Sequence, residues 1–404
     1  MLFGKTAQVD VGGLVASTLY ISDGDLRARR YTFTGDGTAG SVTNRGMLTA
    51  ARGGYIALLA PEVRNEGVII ARLGTVALGA GDQVTLDFSG DRLISFTVDK
   101  AALNALIENK HLIQADGGNV LVAARSAGDL AATVVNKDGV IEATSVPKRN
   151  GVVVLDGGER GVVSVAGALD VSGRNTGETG GHHPKYWVTK LGVFAGAKLD
   201  ASGDSGRGTV LAGGNYQGKG SERNAKFTYV DADAHIAADA ITSGNGGRAI
   251  VWAVDITRYR GNISARGGAN TGDGGVAEVS GKRLLDFHGR ADPGASNGRA
   301  GTQLLDPLNI TLNTGADTNT LGFTPPGDIT EAFADDAGLN SVFNVNAGGS
   351  FAGITAGSTI TFQATNNITD SNTFNVATAI GTANNSLVLR SARKQAISAC
   401  RAPV

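Results

Sequence analysis

The chain has 404 residues, of which 60 are Gly and 41% are hydrophobic, and its formal net charge is −1. The glycines show no period of three, which excludes collagen, and the apolar content with so little net charge excludes a disordered chain. Because 36 Lys and Arg are balanced by 37 Asp and Glu, mixed along the sequence, we expect no nucleic-acid partner.

A repeated unit occupies the first part of the chain. The segment Val42–Ala50 returns as Val63–Ala71, with Asn and Gly at the same places, and a third copy around Asn136 has one residue inserted before Gly. Asn and Gly both tolerate sharp turns, and Asn side chains of adjacent copies can stack into hydrogen-bonded ladders. We therefore predict a structural turn ladder that comprises Asn44, Gly46, Asn65, Gly67, Asn136 and Gly139.

Short strands with alternating hydrophobicity, each behind a Gly turn, separate these copies, as at Gly54–Leu58 and Gly74–Leu78. Residues 99–109 break the pattern. They are rich in Ala and Leu, contain no Gly and open on Asp99, a residue that favours a helix N-cap. We predict a short helix there, outside the repeats.

Residues 146–312 keep the rhythm with a changed unit, since Leu169–Gly173 returns as Leu199–Gly203. Periods of roughly 20 to 30 residues with several short strands are typical of the coils of a β-solenoid, which bury a shared core by stacking. The fold class predicted is therefore all-β and solenoidal, with a thin interior of Val, Ile, Leu and Ala. Residues 313–390, rich in Thr and Asn, are predicted as irregular β repeats, and residues 391–404 as a disordered tail.

Several motifs follow one another along residues 1–312, namely Leu2–Thr18, the Val-x-Asn-x-Gly units, Gly261–Ala265 and Leu304–Pro307. In this order they resemble filamentous haemagglutinin and the high-molecular-weight adhesins, which are exoproteins of bacterial two-partner secretion. The resemblance marks a set of family-motif residues: Phe3, Gly4, Lys5, Gly261, Asn262, Leu304, Leu305, Asp306 and Pro307.

The resemblance implies a right-handed, single-stranded parallel β-helix that is exported by the Sec route and then through an outer-membrane β-barrel transporter. It places residues 1–145 in a secretion and haemagglutination-type domain and residues 146–312 in its continuation. In the family, a signal peptide and an Asn-Pro-Asn-Gly box precede the Leu-Phe-Gly-Lys run, whereas here Met1 stands at that boundary. We therefore expect an N-terminally truncated fragment of a secreted parent, without a signal peptide.

Residues that could carry chemistry are few. Gly35–Gly40 matches the dinucleotide fingerprint, but a strand pattern follows it where phosphate binding needs the N-terminus of a helix. The five His residues lack the spacing of metal ligands. Asp231 and Asp233 would share one face of a strand, as the two carboxylates of a glycosidase could, although Asp is also a common turn residue.

Four aromatic residues raise a second possibility, a platform on which glycans stack: Tyr186, Trp187, Trp252 and Tyr259. Trp252 lies in a strand motif and is equally typical of core packing. Together with the resemblance, these observations predict no enzyme activity and no cofactor.

The predicted function is that of a bacterial surface adhesin, which attaches to a glycan or protein receptor on a host or bacterial cell. Two alternatives stay open. One is a β-helix glycan lyase or hydrolase, and the other is the carrier stalk of a contact-dependent toxin or of a haem-acquisition exoprotein.

Overall fold

The computed structural model of the chain describes residues 1–38, 40–88, 94–127, 133–136, 139–159, 161–187, 189–220, 223–313, 341–344, 357–370 and 385–391. The tail predicted for 391–404 lies outside these residues, except for Ser391, and so does most of the predicted 313–390 region. Two compact units make up the chain. The first contains residues 1–190 and 197–201, and the second contains residues 191–196 and 202–404.

Short strands and one helical turn follow each other through the first unit: β1 (Leu2–Phe3), β2 (Gln8–Ser17), α1 (Asp23–Arg27), β3 (Tyr31–Thr34), β4 (Ser41–Asn44), β5 (Met47–Ala60), β6 (Glu62–Asn65), β7 (Val68–Ile70), β8 (Thr75–Ala80), β9 (Gln83–Asp87), β10 (Ser95–Lys100), β11 (Leu106–Asn109), β12 (Leu112–Gln114), β13 (Asn119–Ala124), β14 (Thr133–Asn136), β15 (Val140–Glu142), β16 (Val152–Asp156), β17 (Val162–Val165), β18 (Ala168–Asp170) and β19 (His182–Trp187).

The remaining strands complete the chain order, and β21 among them belongs to the first unit: β20 (Lys190–Val193), β21 (Lys198–Asp200), β22 (Thr209–Ala212), β23 (Phe227–Val230), β24 (His235–Ala237), β25 (Arg248–Ala253), β26 (Ile256–Tyr259), β27 (Asn262–Ser264), β28 (Val276–Gly281), β29 (Leu284–Phe287), β30 (Arg290–Asp292), β31 (Thr302–Leu305), β32 (Ile310–Asn313), β33 (Ser341–Asn344), β34 (Thr359–Ala364), β35 (Ile368–Asp370) and β36 (Ser386–Ser391). A 3-10 turn at Tyr216–Gly218 lies between β22 and β23.

Parallel pairing arranges the strands of the first unit in three columns. The first column runs β1-β4-β6-β11-β14-β17. The second runs β2-β5-β7-β12-β15-β18-β21, and the third runs β2-β5-β8-β13-β16-β19. Successive coils thus stack their strands in register, which confirms the predicted β-solenoid and the parallel β-helix that the resemblance implies.

Aliphatic side chains fill the interior of this unit because the register places like residues above each other. In the first column Val42 pairs with Val63, and Val63 pairs with Ile107. All three are buried, as are the stacked Leu48 and Ile69 of the second column. Neighbouring coils lie about 4.8 Å apart, so each inward side chain is covered only by its copies above and below.

The helix predicted for residues 99–109 is wrong. Residues 95–100 form β10, which pairs antiparallel with β9, and residues 106–109 form β11 of the first column. Local helix propensity is outweighed here because Ile107 fills the interior position above Val63, a gain that an isolated helix could not offer. Together β3, β9 and β10 make an antiparallel sheet outside the three columns.

Within the described ranges, the α-helical turn lies elsewhere, in α1 at Asp23–Arg27. Ser22 caps it, since its Oγ accepts a hydrogen bond from the Asp25 N–H at 3.0 Å.

The second unit repeats the columnar arrangement. Its columns are β23-β26-β29, β24-β27-β30 and β22-β25-β28-β31-β34-β36, all paired in parallel, and β33-β32-β35 form a further small sheet. Aromatic side chains enter its interior. The rings of Tyr259 and Phe287 stack with centroids 5.3 Å apart and planes inclined by 15°.

Candidate functional site

Three buried asparagines form a continuous side-chain ladder at the ends of the first-column strands. The Asn44 Nδ2 donates to the Asn65 Oδ1 at 2.9 Å, and the Asn65 Nδ2 donates to the Asn109 Oδ1 at 2.7 Å. None of the three side chains is more than 2% exposed. Because a buried amide without partners destabilises the fold, each rung requires the rung beside it.

The same amides also close the turns that follow. The Asn44 Oδ1 accepts the Gly46 N–H at 3.0 Å, and the Asn65 Oδ1 accepts the Gly67 N–H at 3.3 Å. A Cβ on Gly67 would lie 2.3 Å from the Gly46 carbonyl oxygen, which is backbone and cannot move aside. Glycine is therefore required at this corner for the coils to approach each other.

Asn109 is the residue that sequence reasoning missed. It falls at the end of the predicted helix, and its turn, Asn-Lys-His, lacks the Gly of the other copies. The Ile107↔Val134 register brings Asn136 to the next place along the first column, at the end of β14. A Cβ on Gly139 would lie 2.5 Å from the Asn109 carbonyl oxygen, so this glycine also faces the preceding coil closely.

Charged side chains connect the same coils on the outer face of the column. Arg64 lies between two carboxylates, in contact with Glu62 and with its Nη1 2.5 Å from the Glu108 Oε2. The hydrogen bond to Glu62 is the main cause that raises the pKa of Arg64. Lys110 adds a further contact to Glu108 at 3.1 Å. Such partly exposed pairs add little energy each, but they favour the observed register.

The first family motif lies at the start of the first column. Phe3 pairs with Asn44, and its carbonyl oxygen accepts the Arg45 N–H at 2.9 Å. The Gly4 carbonyl accepts the Ala7 N–H at 2.9 Å, while Lys5 is exposed. The motif thus forms the turn by which the chain passes from the first column to the second.

The second motif lies in the second unit, at the turn before β27. A Cβ on Gly261 would lie 2.7 Å from the Val230 Cγ1, and the Asn262 Nδ2 donates weakly to the Ala232 carbonyl at 3.4 Å. These residues are therefore separate from the asparagine ladder, and they close a turn of their own.

The third motif joins buried leucines to a polar residue. Leu304 and Leu305 are buried in β31, where they pair with residues of β34. The Asp306 Oδ2 accepts from the Gln363 Nε2 at 2.9 Å, and burial raises the pKa of Asp306 to about 6. The Pro307 carbonyl accepts the Thr365 N–H at 3.3 Å, so the motif fixes the exit from the third column.

A polar cluster that the sequence did not reveal lies close by, under residues 213–220, which we call the strap. Glu278 is fully buried, and both its carboxylate oxygens accept the Gln217 N–H, at 3.1 and 2.9 Å. Burial raises the pKa of Glu278 to about 7, although the hydrogen bond from Gln217 opposes this. A Cβ on Gly218 would lie 2.3 Å from the Trp252 ring, so the strap packs tightly on that indole.

The two carboxylates considered for glycan cleavage belong to a turn. Asp231 is 7% exposed, and its Oδ2 accepts a hydrogen bond from the Tyr229 hydroxyl at 2.8 Å. Its other oxygen accepts the N–H of Asp233 at 3.2 Å, which is the geometry of a turn. Asp233 itself is exposed, so the two residues occupy unlike environments.

Two of the four residues of the predicted aromatic platform are buried and do not face a ligand. Trp252 is 5% exposed beneath the strap, and Tyr259 is fully buried with its hydroxyl donating to the Arg290 carbonyl at 2.8 Å. Both rings are therefore packing residues. The side chains of Tyr186 and Trp187 lie outside the described part of the structure.

The described residues also contain no group of three or more His, Cys, Asp or Glu arranged to hold a metal ion. After Gly35, Gly37 and Gly40 the chain enters β4, so the dinucleotide-like motif precedes a strand. In the same described residues, no helix combines the length and the hydrophobicity that crossing a bilayer requires.

A parallel β-helix whose prominent polar groups serve turns and coil contacts defines a class of structural β-solenoid proteins. Comparison with known proteins identifies the family within this class. The TPS secretion domain family matches residues 1–171. A crystal structure of the HMW1 secretion domain from Haemophilus influenzae is similar at 32% identity and a TM-score of 0.61, over 72% of this chain and 75% of that one. No curated protein sequence matches.

The chain therefore belongs to the TPS secretion domain family, the exoproteins of two-partner secretion. This confirms the resemblance found in the sequence. The domain is a non-enzymatic secretion or carrier domain, and its presence implies an outer-membrane transporter as the partner in export to the cell surface.

Proposed function

We propose that this exoprotein is an adhesin, whose β-helix attaches a bacterium to a glycan or protein receptor on another cell surface. Membership of the family supports export, and the order of the adhesin-like motifs supports attachment. The environment of Asp231 favours a turn rather than an acid and base pair, so we place the glycan-cleaving alternative second.

We further propose that folding drives the final step of export. The single observation that carries this is the asparagine ladder, in which Asn65 bonds Asn44 before it and Asn109 after it. Each newly folded coil supplies the acceptor for the asparagine amide of the coil before it, so a chain emerging from a pore can fold in order from local contacts. Every coil added then prevents the chain from sliding back.

Export is tested with the chain carried behind a signal peptide and co-expressed with a two-partner transporter. Ile69 is a fully buried interior residue of β7. Ile69→Pro removes its backbone N–H donor and disturbs the packing at this position. We expect slower release into the medium, measured by pulse-chase. Leu103→Pro, at an exposed turn, is the matched control. Equal release of the two variants would contradict folding-driven export.

Attachment is tested separately, with purified protein coupled to beads and counted on cultured cells before and after treatment with glycosidase or protease. Saturable binding that one treatment abolishes would support an adhesin and give the receptor class. Absence of binding, with export intact, would contradict adhesion by this chain and leave the export proposal standing.

A further inference from the structure

A groove of about 930 Å³ opens on the first unit at the corner between the second and third columns. Four cationic side chains and a single carboxylate are among its lining residues, and we call it the basic groove. The charged residues are Arg52, Arg72, Asp116, Lys148 and Arg149.

An insertion in one coil builds one wall of the basic groove. At this corner two residues, 72–73 or 116–117, suffice in the preceding coils, whereas residues 144–150 replace them in the next. Val146 and Arg149 exchange two backbone hydrogen bonds of 2.9 Å, so the insertion is a tight hairpin. Its tip carries Pro147 and Lys148, both exposed.

The floor of the basic groove is aliphatic, and a glycine makes room for it. A Cβ on Gly117 would lie 2.4 Å from the Val146 Cγ2 and 2.6 Å from the Leu73 Cδ2, so these two side chains meet over that glycine. Leu73 and Lys148 have φ angles of 57° and 69°, in the left-handed region that costs energy for such residues. Strained backbone of this kind is concentrated at binding sites.

The charge of the basic groove is largely uncompensated. Asp116 already accepts hydrogen bonds from the Thr144 Oγ1 at 2.6 Å and the Gln114 Nε2 at 2.8 Å, and the Arg72 Nε lies 3.8 Å from it. Arg52 and Lys148 form no ion pair with another described residue. A cationic rim above an aliphatic floor therefore faces solvent.

We propose that the basic groove binds an extended, acidic segment of a partner protein, whose aliphatic side chains rest on Leu73 and Val146. Charge complementarity selects an anionic occupant, and the aliphatic floor without an aromatic ring among its lining residues favours a peptide over a sugar. The lining residues come from four successive coils. Three spacings of about 4.8 Å separate the first coil from the last, so the basic groove is about 14 Å long, the length of about four extended residues. The inference stands independently of the proposed adhesion.

The test is fluorescence anisotropy of a fluorescein-labelled dodecapeptide that alternates glutamate with leucine, titrated with the whole chain. We expect saturable binding that weakens at least about tenfold in Arg72→Glu/Lys148→Glu and weakens further as salt is raised, because exposed charges are screened. The matched control is Lys5→Glu/Arg27→Glu, which reverses two charges of the same unit outside the groove.

A second variant, Lys148→Gly, removes one charge while glycine keeps the left-handed turn without strain. It should retain the circular dichroism spectrum and lose affinity several-fold. The proposal is overturned if the peptide fails to bind, or if the groove and control variants bind it equally. Binding of a heparin dodecasaccharide in place of the peptide, or self-association in sedimentation that the groove variants abolish, would also overturn it.

Discussion

The two units of the chain fill one structural position differently. At the last residue of a four-residue first-column strand, the first unit has Asn44 and Asn65, joined by a side-chain hydrogen bond of 2.9 Å. At the last residue of β26 and β29, the second unit has Tyr259 and Phe287, whose rings stack at 5.3 Å. Both solutions repeat from coil to coil, one through amides and the other through aromatic surface.

This difference shows what each solution demands of its neighbours. When the next rung is lost, the amide of Asn44 or Asn65 keeps only a longer 3.3 Å bond to a backbone carbonyl, so the register of the ladder is strongly specified. An aromatic stack loses contact area but strands little polar surface, since Tyr259 has one hydroxyl and that is bonded to the Arg290 carbonyl. We therefore expect the first unit to be less tolerant of substitution at this position.

The largest effect is expected at the centre of the ladder. Asn65→Leu removes both ladder hydrogen bonds and the acceptor of the buried Gly67 N–H, and it leaves the Asn44 Nδ2 with its longer 3.3 Å bond to the Val68 carbonyl, at a cost of about 4 kcal/mol. Urea unfolding followed by circular dichroism measures it. Asn104→Leu, at an exposed turn, should cost almost nothing. Equal destabilisation by the two substitutions would contradict the ladder's role.

The second-largest effect is a pH dependence of stability in the second unit, caused by its buried carboxyl groups. Burial raises the pKa of Glu278 from 4.5 to about 7, so the folded protein binds more protons than the unfolded chain between these values. The free energy of unfolding of the second unit should therefore be highest below about pH 4.5. It should fall by about 3 kcal/mol as the pH rises to about 7, because the folded protein then has to ionise a buried carboxyl group. The raised pKa of Asp306 adds a loss in the same direction up to about pH 6.

Glu278→Gln should flatten this pH dependence, most clearly between pH 6 and 7, when unfolding is followed by tryptophan fluorescence with Trp252 under the strap. Asp233→Asn replaces an exposed carboxylate and serves as the control. A wild-type stability that rises across the same range would contradict a raised pKa of Glu278 in the folded protein.

A smaller effect is expected from the turn glycines of the first unit. Gly67→Ala places a methyl group against the Gly46 carbonyl oxygen, and we expect a loss of about 2 kcal/mol from overpacking. Gly4→Ala is the control, because a Cβ there has no atom within 4 Å. Thermal unfolding compares the two. If Gly67→Ala is as stable as Gly4→Ala, the coils approach less closely at this corner than the structure shows.

The smallest effect sharpens the comparison from the aromatic side. Tyr259→Phe keeps the stacked ring and removes only the hydroxyl that donates to the Arg290 carbonyl, so we expect about 1 kcal/mol. Chemical unfolding of the variant beside Asn65→Leu gives the ratio of the two costs. A Tyr259→Phe loss that exceeds the Asn65→Leu loss would reverse the contrast between the units.

Repetition in the sequence was enough to predict a β-solenoid and to place Asn44 and Asn65 at equivalent turns, while the family resemblance implied a parallel β-helix. It failed at Asn109, because Ala and Leu before it favour a helix locally and no Gly follows at the usual place. Pairing of Ile107 with Val63 decides the structure there, and that pairing depends on residues 44 positions away. Only the neighbouring coil reveals it.

Other features depended on three-dimensional neighbours from the start. The burial of Glu278 follows from the strap that covers it, and the basic groove follows from a hairpin whose Lys148 adopts a left-handed backbone. Neither residue type signals its environment, since Glu and Lys are ordinarily exposed. The two carboxylates Asp231 and Asp233 show the converse, a suggestive spacing that the fold uses for a turn.

Disulfide trapping tests the central claim, stacked coils in the stated register, most directly. In a Cys400→Ser background, Met47→Cys/Val68→Cys joins residues that pair between β5 and β7, at a spacing a disulfide can bridge. Met47→Cys/Ile70→Cys is displaced by two residues and should cross-link poorly. Peptide mapping after mild oxidation should find the first bridge in most molecules; equal or reversed yields would contradict the coil register.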